Sequence, residues 1–150
     1  MAEDYNAIRN TISTYSLAID SKVFGRLSQV FTTDVVANYS EPLNVLRGLT
    51  QVQAVLQQSL APVTTQHALS TQVIDINGDS ANSTTYLTAS HFGSGLYEGQ
   101  VLYAYGRYVD QLVRVSQAYA KRPIWRVKAR NLVYLGPFIG NSSVFSSPGR

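Results

Sequence analysis

The hydrophobic period of this chain changes once, at Pro62, and that switch restricts the folds open to it. Before it, Ile8, Ile12, Tyr15 and Ile19 recur at the spacing of an amphipathic helix. Phe24, Leu27 and Phe31 mark a short second helix, and "DVVANYS" (34–40) reads as a brief strand. Gly48 and Thr50 open a third helix with Val52, Val55, Leu56 and Leu60 as its buried stripe, and Pro62 ends it. The spacing predicts helices over 3–20, 23–31 and 49–60. After Pro62, "ALSTQVIDI", "SANSTTYLTASHF", "QVLYAYGRYVDQLVRV" and "WRVKARNLVYL" are strand-like and rich in Val, Thr and Tyr. Asn77-Gly78-Asp79 supplies a tight hairpin turn between the first two. Helices followed by a long antiparallel meander give an α+β layout with helices on one face of the sheet. A curved sheet wrapped on helices leaves a cone open at one end, a natural small-molecule pocket.

At 150 residues the chain is most simply one domain, large enough to enclose such a pocket. Its 14% charged residues are too few for a disordered chain. Cysteine is absent, which removes disulfides and thiolate metal sites. The formal charge of +3 is mildly basic, and most cations are scattered singly. The exception is "KRPIWRVKAR" (121–130), where Arg126, Lys128 and Arg130 at period two read as a solvated outer sheet face. No stacking aromatics alternate with them, so nucleic acid is not an expected partner. The start, "MAEDYNAIRN", is acidic and polar, unlike a secretory signal. No run approaches the ~20 apolar residues of a membrane span. A soluble, cytoplasmic protein is expected. "GNSSVFSSPGR" (140–150) reads as a loose tail behind a domain over 1–139.

Only two histidines occur, His67 in "VTTQHALS" and His91 in "TASHFG", each near the edge of a strand-like run. Histidine is the side chain that titrates near neutrality, so both are candidates for proton transfer. Counting by twos from His91 gives Ala89, Leu87, Thr85 and Ser83, the more apolar face, so His91 points inward. It is either a core histidine satisfied by the backbone or a working group. Parity does not decide between the Tyr103/Tyr105 face and the Leu102/Ala104 face of the third long strand. On the last strand Asn131 shares a face with Trp125, Val127, Ala129 and Val133, where it must be hydrogen-bonded or meet a ligand. Asp20 closes the first helix, where the dipole disfavours a carboxylate. It either caps the turn at Ser21-Lys22 or pairs with a histidine. Asp20, His67 and His91 come from distant segments, so a three-ligand metal site is not expected. Nucleophile-elbow, Walker and dinucleotide motifs are absent, and "GSG" (93–95) lies between strands.

The order of "YSLAIDSKVFGRL", "DVVANYS", "TTQHALS", "TASHF" and "WRVKARNLVYLG", over about residues 5–136, resembles the NTF2-like α+β cone. Within that superfamily it resembles the SnoaL-like proteins and scytalone dehydratase. The resemblance implies N-terminal helices packed on a strongly curved, mostly antiparallel sheet that encloses a pocket. It places Asp20 and His67 on a catalytic dyad, His91 on a second histidine and Tyr39 on a tyrosine that holds a water on the substrate carbonyl. Ile19 stands where the dehydratase has its other water-holding tyrosine, and Tyr103 and Tyr105 stand where it has a serine and an asparagine. These departures argue against scytalone itself as substrate.

The resemblance therefore implies a lyase or isomerase, a dehydratase or cyclase that needs no cofactor. Its substrate would be a small hydrophobic polyketide- or terpenoid-type intermediate. Asp20, His67 and His91 would be catalytic, with His91 donating a proton to the leaving oxygen. Tyr39, Tyr103, Tyr105 and Asn131 would bind substrate. A homo-oligomer, dimer or trimer, is expected to cover the outer sheet face. The alternatives are a pericyclase that works by folding a polyene and a non-catalytic binding or assembly module on the same cone.

Overall fold

Helix α1 (Ala2–Asp20) begins where Glu3 and Asp4 complement the positive end of the helix dipole. Its stripe of Ile8, Ile12, Tyr15 and Ile19 is buried throughout. The computed structural model describes residues 2–116 and 119–146. The helix stops in a paired turn: Val23 N–H reaches the Ala18 carbonyl at 2.9 Å and Lys22 N–H the Ile19 carbonyl at 3.2 Å. Lys22 takes the left-handed conformation, φ 58°, that such a stop requires. Asp20 is thus fixed in the last helical turn.

The segment expected as a second α-helix is a tighter 3-10 turn, Phe24–Gln29. Phe31 does not extend it, because Phe31 pairs with Val127 as the first residue of strand β1 (Phe31–Asn38). A short strand β2 (Val45–Arg47) and helix α2 (Leu49–Leu60) follow, with Val52, Leu56 and Leu60 buried. Four long strands come next: β3 (Thr64–Asn77), β4 (Ser80–Phe92), β5 (Val101–Val115) and β6 (Ile124–Tyr134). Gly78, at φ 62°, supplies the β3–β4 turn conformation that an L side chain resists. The sheet runs β2-β1-β6-β5-β4-β3, and β7 (Ile139–Gly140) pairs with β5. Every pairing is antiparallel except β1–β6. Helices packed on one large, unclosed sheet make this the α+β cone.

Strand β6 does not keep a single parity. Leu112 pairs with Val127 and Gln111 with Ala129, so Lys128 is an extra, bulged residue. The buried set therefore passes from Trp125 and Val127 to Arg130 and Leu132. This corrects two expectations together. Arg130 leaves the supposed solvated face and is only 1% exposed, while Asn131 turns outward and is exposed.

The loose tail expected from residue 140 is also corrected through Ser146. Asn141 N–H donates to the Val101 carbonyl at 3.0 Å, and Gly140 lies where a Cβ would collide with that carbonyl. A 3-10 turn, Ser142–Ser146, then buries Val144 completely. The rest of the expected tail, 147–150, lies outside the described residues. No helix among the described residues is long and apolar enough to cross a membrane.

Candidate active site

The end of α1 and the first residues of β3 meet at Asp20. Its Oδ1 accepts hydrogen bonds from His67 Nδ1 at 2.7 Å and Thr65 Oγ1 at 2.8 Å. Its Oδ2 accepts from the His67 backbone N–H at 2.9 Å. Burial raises the Asp20 pKa, but the bonds from the His67 ring and backbone outweigh it and hold the carboxyl below its ordinary 3.8. These three bonds offset the unfavourable position of a carboxylate at a helix C-terminus. Of the two roles open in the sequence, Asp20 takes the histidine. A carboxylate only accepts, so Nδ1 of His67 carries a hydrogen, and in the neutral form of the ring Nε2 presents a lone pair.

That ring lines a cavity of about 500 Å³ enclosed by the helices, the inner sheet face and the C-terminal turn. His91 lines the same cavity, with its ring centroid 6.1 Å from that of His67. Its Nδ1 lies 3.0 Å from the Leu102 carbonyl, and Phe145 packs 5.2 Å from its ring. A carbonyl accepts, so Nδ1 of His91 is the donor and Nε2 is again the free lone pair. Burial pushes the His91 pKa below its ordinary 6.5. The ring is neutral at neutral pH, so the expected role as proton donor does not suit it.

Most of the remaining lining is apolar, with Ile19, Leu56, Leu87, Leu102 and Leu132 among it. Four phenols are among its donors. The hydroxyls of Tyr15 and Tyr39 lie 2.8 Å apart, and Tyr108 and Tyr134 also reach the cavity. Burial raises all four phenol pKa values, so they remain protonated. Behind them Arg130 donates from Nε and Nη2 to the two oxygens of Asp110, at 2.7 and 2.9 Å. Its guanidinium is 4.4 Å from the Tyr15 ring centroid and 3.9 Å from that of Tyr108. Burial opposes the guanidinium charge, but Asp110 outweighs it and raises the Arg130 pKa.

The structure therefore brings His67, backed by Asp20, together with His91 and Tyr39, and it leaves Tyr103, Tyr105 and Asn131 outside. On β5 the buried face is Leu102, Ala104, Tyr108, Asp110 and Leu112, so Tyr103 and Tyr105 point away from the cavity. The bulge at Lys128 turns Asn131 away. Sequence reasoning missed Tyr15, Tyr108, Tyr134 and Arg130. The signal for Tyr15 was present, since it sits one turn before Ile19 on the buried stripe. Among the described residues no group of three or more His, Cys, Asp or Glu is placed to hold a metal ion.

The model of the SnoaL-like domain matches residues 1–131. The chain belongs to the SnoaL-like family. No curated protein matches the sequence. Solved structures agree on the fold. A Kribbella flavida protein superposes with a TM-score of 0.80 at 19% identity, covering 95% of this chain and 96% of that one. A putative scytalone dehydratase from Novosphingobium aromaticivorans gives 0.78 at 23% identity, covering 92% and 87%. A hexachlorocyclohexane dehydrochlorinase gives 0.76 at 15% identity, covering 93% and 89%. This SnoaL-like cone thus shares its architecture with all three.

Proposed function

We propose that this protein is a cofactor-independent lyase or isomerase, a dehydratase or cyclase, acting on a small hydrophobic intermediate of the polyketide or terpenoid type. The observation that carries it is the 2.7 Å contact of His67 Nδ1 with Asp20, which leaves the other ring nitrogen, Nε2, for the apolar cavity that the ring lines. Nε2 takes a proton from a carbon beside a carbonyl. Asp20 holds the tautomer and stabilises the imidazolium that results. The carbonyl oxygen gains the negative charge and accepts a hydrogen bond from the Tyr15–Tyr39 pair. The electron pair then expels a β-hydroxyl, which takes the proton from His67 and leaves as water. If no leaving group is present, the proton returns to another carbon and the outcome is isomerisation.

A fused β-hydroxyketone, 3-hydroxy-1-tetralone, tests this with a simple readout. Loss of water gives aromatic 1-naphthol, followed by fluorescence in chelator-treated protein. Turnover that falls with His67→Ala supports the reading. Turnover absent from the native protein across a panel of such ketones points instead to a binding module or a pericyclase.

We also propose a homo-oligomer, because Val73, Tyr86, Tyr105 and Val109 are exposed on strands β3 to β5. A monomer at micromolar concentration in sedimentation contradicts that.

A further inference from the structure

We propose that His91 is a specificity residue that accepts a hydrogen bond at Nε2, so that preferred substrates carry a hydroxyl or N–H donor on the same bicyclic ring system as the carbon His67 deprotonates. The proposal rests on the reading of His67 as the base, and it names a substrate feature which that reading leaves open.

The Leu102 carbonyl, 3.0 Å from Nδ1, fixes one tautomer. Nε2 has no hydrogen-bond partner among the described residues, and the ring lines the cavity. Burial outweighs the Leu102 carbonyl and the Asp20 charge, which favour a second proton on this ring. The Phe145 ring lies 5.2 Å away, and only 8% of the residue is exposed to water. The titratable groups facing His91 are His67, 6.1 Å away centroid to centroid, and Asp20, which His67 and Thr65 already occupy. When His67 holds the substrate proton, a neighbouring second imidazolium is disfavoured still further. His91 therefore stays an acceptor throughout turnover.

An acceptor on the wall of an apolar cavity discriminates. In the open pocket water satisfies it. A ligand that displaces water without offering a donor leaves the nitrogen unpaired, and a desolvated, unpaired polar atom weakens binding by about tenfold to a hundredfold. Donor-free hydrocarbons and simple ketones are then poor ligands, and hydroxylated ring ketones are good ones. The two imidazoles are close enough together to touch one bicyclic molecule.

The test uses two probes without a leaving group, 6-hydroxy-1-tetralone and 6-methoxy-1-tetralone, with full-length ¹⁵N-labelled protein. Long-range ¹H–¹⁵N spectra of the ligand-free protein at neutral pH should show hydrogen on His91 Nδ1 alone. The hydroxy probe should bind at least about tenfold more tightly than the methoxy probe and shift the Nε2 resonance. His91→Phe should abolish the preference yet still bind the methoxy probe, and His91→Gln should retain part of it. Hydrogen on Nε2, a doubly protonated ring, equal affinities, or binding of neither probe overturns the proposal. His67→Ala separates the two readings. If that variant still dehydrates 3-hydroxy-1-tetralone while the hydroxyl preference persists, the base assignment fails and the specificity role of His91 stands.

Discussion

The hydroxyls of Tyr15 and Tyr39 form a 2.8 Å hydrogen bond to each other inside the pocket wall, one from α1 and the other just beyond β1. Two hydroxyls carry two hydrogens, and their mutual bond consumes one. The other is free for a substrate oxygen. The pair thus acts as one donor, with the first hydroxyl strengthening the second.

Tyr39→Phe and Tyr15→Phe are each expected to lower kcat by about 10²–10³-fold, the usual cost of losing an oxyanion donor. The double variant is expected to be little worse than the more damaged single one, because residues acting as a unit are non-additive. Multiplicative losses in steady-state kinetics would show two independent donors instead.

Stability is expected to hinge on Asp110 and Arg130, whose side chains are both fully buried. Asp110→Ala strands a cation in the core and should cost about 3–5 kcal/mol in urea denaturation. Replacing both partners, Asp110→Leu with Arg130→Met, should recover much of that loss, since a buried pair weighs little against a good apolar fill. A double variant as unstable as Asp110→Ala would mean that the pair itself, and not the orphaned charge, supports the fold.

Stability should also fall in mild acid because of His91. Its folded-state pKa lies below 6.5, so between the two values the unfolded chain binds more protons than the native one. Its contribution is present above 6.5 and is lost as pH falls towards the folded value. Asp20 follows at lower pH, because its depressed carboxyl stabilises the fold above 3.8 and loses that effect as pH falls through the folded value. Thermal melts of His91→Leu should therefore be flatter than those of the native protein between about pH 7.5 and 5.5. Parallel curves would place the neutral histidine in doubt.

The legible parts of this chain were those governed by one unbroken period. The stripe from Ile8 to Ile19 and the inward face from Ser83 to His91 held because no bulge interrupts them. Asn131 and Arg130 were misplaced because Lys128 inserts one residue into β6, and nothing in "WRVKARNL" marks it. Tyr103 and Tyr105 were ambiguous because both faces of β5 carry large side chains, and the burial is decided by what packs against them. The Arg130–Asp110 pair joins neighbouring strands 20 residues apart, so neither residue announces the other. The anchored turn at Ser142–Ser146 looked loose because its serines hide the two side chains that hold it, Val144 and Phe145.

The most direct test of His67 as a base oriented by Asp20 is a double-mutant cycle on turnover of 3-hydroxy-1-tetralone. His67→Ala should lose about 10²–10⁴-fold in kcat with the fold intact by circular dichroism. Asp20→Asn should lose most of that too, because the amide no longer stabilises the imidazolium. The double variant should match His67→Ala within a few-fold. Near-native turnover in His67→Ala, in a folded protein, would contradict the acid–base assignment and leave a pocket that works by shape alone.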